Sequence, residues 1–108
     1  MNIQYKKGVI ELCVLALLDR RDCYGYEISD TIGRQIDISD GTVYPILRKL
    51  KSDGLVTTYL QEESGGPPRK YYKLTETGTA QYAKDRADWL SFIEAARAIM
   101  EETGNDEA

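Results

Sequence analysis

Two tight clusters of basic side chains are the residues of this sequence best placed to do chemistry with a partner: Arg48, Lys49 and Lys51, then Arg69, Lys70 and Lys73. Across residues 41–73 these six face three acids, Asp53, Glu62 and Glu63. A guanidinium offers a fork of donors that fits a guanine edge, and an ammonium neutralises a phosphate. Gly65 and Gly66 stand just ahead of Arg69-Lys70, and glycine lets a backbone approach closely. Glu62-Glu63 beside them repels phosphate and has no functional account.

Other chemistries lack their parts. The 108 residues contain no histidine, which removes the usual general base, metal ligand and near-neutral pH switch. Cys13 and Cys23 form no C-x-x-C pair and, without histidine, make a poor zinc set. They read as small hydrophobes in a reducing compartment. The expectation is no enzyme, no cofactor and no metal. No apolar run reaches the ~18–20 residues that span a bilayer. The richest run, residues 8–18, contains Glu11 and is followed by charged residues rather than a cleavage site, so a cytoplasmic location is expected. The formal charge of −4 and the pI near 4.8 argue, taken whole, against nucleic acid. The distribution reverses this, because residues 1–73 hold 11 basic and 10 acidic side chains and residues 74–108 hold 3 and 8. A phosphate backbone responds to the local potential.

The elements that must position the basic clusters follow from periodicity. Residues 5–18 are predicted as a mostly apolar helix. Val9, Leu12, Cys13, Ala16 and Leu17 recur at helical spacing, with Ile10, Val14 and Leu18 on an adjoining face. So wide an arc implies burial on two sides. Residues 19–23 read as a charged connector. A short helix then runs from Tyr24 or Gly25 to Arg34 with Tyr24, Ile28 and Ile32 on one face. A third helix begins between Ser39 and Thr42 and buries Val43, Ile46, Leu47 and Leu50. This turns Tyr44, Pro45, Arg48, Lys49 and Lys51 outward, with Pro45 expected to be harmless in the first turn. Asp40 is read as a cap or dipole partner. Asp53-Gly54 ends the helix. Residues 55–60 and 71–75 are rich in β-branched and aromatic side chains and read as a hairpin around Gly-Gly-Pro-Pro. Residues 76–100 form a last helix of about 37 Å. Its stripe of Tyr82, Trp89, Ile93, Ala96 and Met100, widened by Ala83, Ala87 and Leu90, is longer than one small core covers and is expected to meet a partner chain. The tail, residues 101–108, is acidic and expected to fray.

Helix, short helix, turn, third helix and hairpin make a winged helix-turn-helix. The third helix would enter a major groove of double-stranded DNA, and the hairpin tip would grip backbone phosphates or the minor groove. The candidate DNA contacts are Ser39, Thr42, Tyr44, Pro45, Arg48 and Lys49 on the helix and Gly66, Arg69 and Lys70 on the wing.

Several segments together resemble the PadR family of bacterial transcriptional regulators. They are Leu15-Ala16-Leu17-Leu18, Tyr24-Gly25-Tyr26-Glu27-Ile28, the run Gly41 to Leu50, Asp53-Gly54-Leu55-Val56 and the run Gly66 to Gly78. The resemblance covers about residues 8–100. It implies an α+β, mainly α fold: a winged helix-turn-helix over residues 1–75, then a dimerisation helix and acidic tail over 76–108. It further implies a homodimer formed through the last and first helices, and promoter binding, usually as a repressor. The single last helix is similar to the short subgroup of that family. There a tryptophan stacks on flat ligands at the dimer centre, and Trp89 stands at the matching place. An aromatic small-molecule effector is thus the implied occupant, its identity left open. Trp89, Tyr82, Ile93, Ala96, Met100 and Val14 are the candidate effector and dimer-interface residues.

Each of these side chains also has a plainer reading. Arg48 and Lys49 alone could be solvated charges, Tyr44 could cover a core edge, and Trp89 could be an interface anchor. Tyr24, Tyr26, Tyr71 and Tyr72 read as packing residues. The rival functional reading is a ligand-sensing or protein-docking winged-helix module without sequence-specific DNA binding.

Overall fold

The computed structural model describes residues 3–62 and 65–101, with the side chains of 7–39, 41–62 and 65–101. The side chain of Asp40, Glu63 and the tail beyond Glu101 lie outside the described residues. The elements run α1 (Ile3–Arg20), β1 (Cys23–Tyr24), α2 (Gly25–Gln35), α3 (Asp40–Ser52), β2 (Val56–Gln61), β3 (Arg69–Leu74) and α4 (Glu76–Glu101). The architecture is mainly helical with a three-stranded antiparallel sheet in the order β1-β3-β2.

The core collects Ile10, Val14, Leu15 and Leu18 from α1, Ile28 and Ile32 from α2, and Val43, Ile46, Leu47 and Leu50 from α3. Val56, Cys23 and Tyr72 of the sheet close it. The α3 stripe is as predicted, each member at most 3% exposed. In α1 the face expected to adjoin the main one proves to be the core face. Val9, Leu12, Cys13, Ala16 and Leu17 are only half-buried. A helix apolar nearly all round gives periodicity little with which to choose a face.

Three local expectations are corrected. Residues 23–24 are strand rather than connector and helix start, with Cys23 opposite Tyr72 and Tyr24 opposite Tyr71. The sheet therefore has a third strand. Pro45 is the sixth residue of α3, past the first turn. It has no N–H to give the Gly41 carbonyl four residues back.

Two joints fix the wing to the helices. The end of α3 closes with Leu55 N–H donating to the Leu50 carbonyl (3.0 Å) and Gly54 N–H to that of Lys51 (3.0 Å). This places Gly54 at φ +77°, where glycine carries no Cβ penalty. Thr75 caps α4: its hydroxyl accepts from Gly78 N–H (2.9 Å) and donates to the Gly54 carbonyl (2.8 Å). Gly78 is buried against Leu55, and any β-carbon there would collide with the Leu55 carbonyl.

Candidate nucleic-acid interface

Burial of Val43, Ile46, Leu47 and Leu50 decides what α3 shows to its surroundings. Tyr44, Pro45 and Arg48 are exposed on its far side. The wing folds toward that side, so Arg48, Arg69 and Lys70 meet Tyr24, Gly25, Tyr26, Tyr44 and Tyr72 around one groove of about 400 Å³. Gly25 sits close beneath Tyr44: a β-carbon there would lie 3.1 Å from the ring, which would have to shift by a few tenths of an ångström. Burial pushes the Tyr72 phenol above its ordinary range.

Lys49 stands apart from that group. Its ammonium lies 3.1 Å from Asp53 and 3.5 Å from Glu11, and the Asp53 hydrogen bond, then the Glu11 charge, hold its pKa above the usual lysine value. Lys51 is turned onto the wing, donating to the Thr58 hydroxyl (3.1 Å). Ser39 is the exposed N-cap residue of α3. Its hydroxyl meets that of Thr42 at 3.3 Å, while Thr42 N–H donates to the Ser39 carbonyl (2.9 Å). Gly66 is exposed in the wing loop with open space around it.

Sequence reasoning missed a row of tyrosines. Tyr24, Tyr71 and Tyr59 are cross-strand partners on the outer face of the sheet. Ring centroids stand 5.7 Å apart for Tyr24–Tyr71 and 5.7 Å for Tyr59–Tyr71. Tyr59 donates to Asp22 at 2.6 Å, which with partial desolvation pushes its pKa up to about 12. Tyr26, 60% exposed, extends the row from α2. Alternation along β3 is a signal that sets Tyr71 and Tyr72 on opposite faces, but nothing in a two-residue strand announces the pairing of Tyr24 with Tyr71.

The effector and interface candidates are divided as well. Trp89 is half-buried beside a groove of about 270 Å³ between α1 and α4, which Leu12, Leu15, Leu50, Leu55, Asp85 and Asp88 also line. Phe92 lies 6.1 Å from it, ring to ring. Ile93 and Ala96 are half-buried, Met100 is 70% exposed, and Tyr82 packs against the core. Val14 is corrected: it is fully enclosed in the core and offers no surface. Burial pushes both thiols, of Cys13 and Cys23, above their ordinary pKa, so neither is a ready nucleophile. No helix among the described residues is long and apolar enough to cross a membrane.

Residues 14–84 match the Transcriptional regulator PadR-like family. Among curated proteins, the chain is 34% identical over 91 residues to Transcriptional regulator YqjI of Escherichia coli, covering 81% of this chain and 42% of that protein. Among solved structures, it is similar to a PadR-like transcriptional regulator from Bacillus cereus, with 30% identity, a TM-score of 0.83 and coverage of 91% of this chain and 97% of that one. A Streptococcus transcriptional regulator matches with a TM-score of 0.84 at 30% identity, covering 93% and 100%. These relatives are described as transcriptional regulators.

Proposed function

The chain belongs to the PadR-like family of transcriptional regulators, and from that premise we propose that it is a homodimeric, cytoplasmic repressor that binds double-stranded operator DNA. Residues 1–75 are the reading unit and residues 76–108 the dimerisation helix and tail. The observation that carries this reading is the groove where Arg48 of α3 and Arg69 and Lys70 of the wing face one side together. There Arg48 and Tyr44 read base edges and Arg69 and Lys70 meet the backbone, with Gly66, Ser39, Thr42 and Pro45 fitting the backbone from outside the groove.

The second copy covers α4. Leu90 (46%), Phe92 (62%), Ile99 (74%) and Met100 (70%) leave more apolar side chain exposed than a lone helix keeps in water. Two-fold symmetry then asks for a palindromic operator with half-sites one helical turn, or a multiple, apart. An aromatic effector beside Trp89 would release DNA only by binding one spacing of the two reading units better than the other.

The rival reading, a docking or sensing module that does not bind DNA, is favoured by the overall −4 charge and by Lys49 being held by acids. A salt series on binding to the gene's own upstream fragment separates the two. Operator binding weakens steeply and log-linearly as salt rises, with a protected palindrome in a footprint. Flat, weak binding with no protected site refutes the repressor reading.

A further inference from the structure

Resting on the DNA-binding reading above, we propose that Tyr24 is a positioning residue of the wing: its ring, locked in the cross-strand row with Tyr71 and Tyr59, holds the Arg69 guanidinium at the place where the wing meets the duplex. The Arg69 guanidinium carbon lies 4.5 Å from the Tyr24 ring centroid. The cause is the sheet's own geometry. Tyr24 pairs with Tyr71, and β1 ends there, so Arg69, two residues earlier on β3 and on the same face, has no β1 residue opposite it. A long side chain in that position reaches the diagonal neighbour, and here that neighbour is an aromatic face.

The ring is itself held. Tyr71 packs against it from β3, Tyr59 stacks on Tyr71, and Asp22 accepts the Tyr59 hydroxyl, so the row is anchored at its far end. The acid best placed to take Arg69 away is occupied: Glu27 accepts from Arg21 and from the Tyr24 backbone N–H. Arg69 therefore loses rotamer freedom before it meets phosphate, and the ordering cost on binding falls.

The test has two arms. In DNA-free protein, the side-chain NMR resonances of Arg69 are expected to be shifted upfield by the ring in wild type and Tyr24→Phe, and to return to ordinary values in Tyr24→Leu. With a fluorescein-labelled random-sequence duplex, Tyr24→Leu is expected to bind about two- to fivefold more weakly, the range of an exposed cation–π contact. Tyr24→Phe should bind like wild type, and Tyr24→Leu should add nothing in an Arg69→Ala background. Unshifted Arg69 resonances in wild type overturn the inference without touching the DNA-binding reading. So does Tyr24→Leu weakening binding equally with and without Arg69. A shifted Arg69 whose removal leaves binding unchanged overturns it at the other step, by removing the wing from the DNA interface.

Discussion

Arg48 and Lys49 are adjacent in sequence and differ in what surrounds them. Arg48 opens onto the groove beside the wing, whereas Lys49 is drawn back between Asp53 and Glu11. A base-reading arginine is worth about 1–3 kcal/mol, so Arg48→Ala should weaken operator binding by that amount and relax preference at one base position. Lys49→Ala should cost less in the same titration, since its charge is already answered. Tyr59 supplies a pH signature. Its hydrogen bond to Asp22 raises its pKa to about 12, from an unfolded value near 10. The folded state then holds a proton that the unfolded state has lost. Its contribution is full below about pH 10 and vanishes as pH climbs through about 12. Ultraviolet titration should show a late-ionising tyrosine that disappears in Tyr59→Phe. An unchanged titration curve in that variant removes the Asp22 contact.

At the scale of elements, the wing works only if β2, β3 and α4 leave α3 at fixed angles, and the Gly78–Leu55 contact sets one of them. Gly78→Ala forces a methyl into the Leu55 carbonyl, and overpacking of this kind costs about 1–3 kcal/mol. Thr75→Ala removes the cap beside it, for about 1 kcal/mol. Both should appear as lower melting temperatures, and an unshifted melt of Gly78→Ala contradicts the close approach. Much of this was legible in the chain. The α3 stripe, the outward arginine and the hairpin around Gly-Gly-Pro-Pro follow from spacing that only one element type satisfies. Three things were not legible, each for a physical reason. A strand as short as Cys23–Tyr24 has no period to detect. An all-round apolar helix hides which of its faces is core, so Val14 stood among the interface candidates although it is core. Lys49 has one partner visible at helical spacing, Asp53, but its second, Glu11, is far away in sequence, and only folding reveals it.

The whole molecule is extended rather than spherical. Its radius of gyration is 17.0 Å, whereas a compact chain of this length has about 13 Å. The excess follows from α4, whose only buried residue is Gly78 near its start. Ile93→Glu on that helix should convert a dimer to a monomer in analytical ultracentrifugation and lower operator affinity with it, because two half-sites would no longer be held by one body. A wild type that sediments as a monomer at micromolar concentration contradicts the dimer. The groove between α3 and the wing is the surface proposed to read DNA. Its most direct test is fluorescence anisotropy of wild type and Arg48→Ala on the gene's own upstream fragment across a salt series. The expected result is tight wild-type binding with a steep negative salt slope, weakened by Arg48→Ala. Binding that is insensitive to both salt and Arg48 would contradict it.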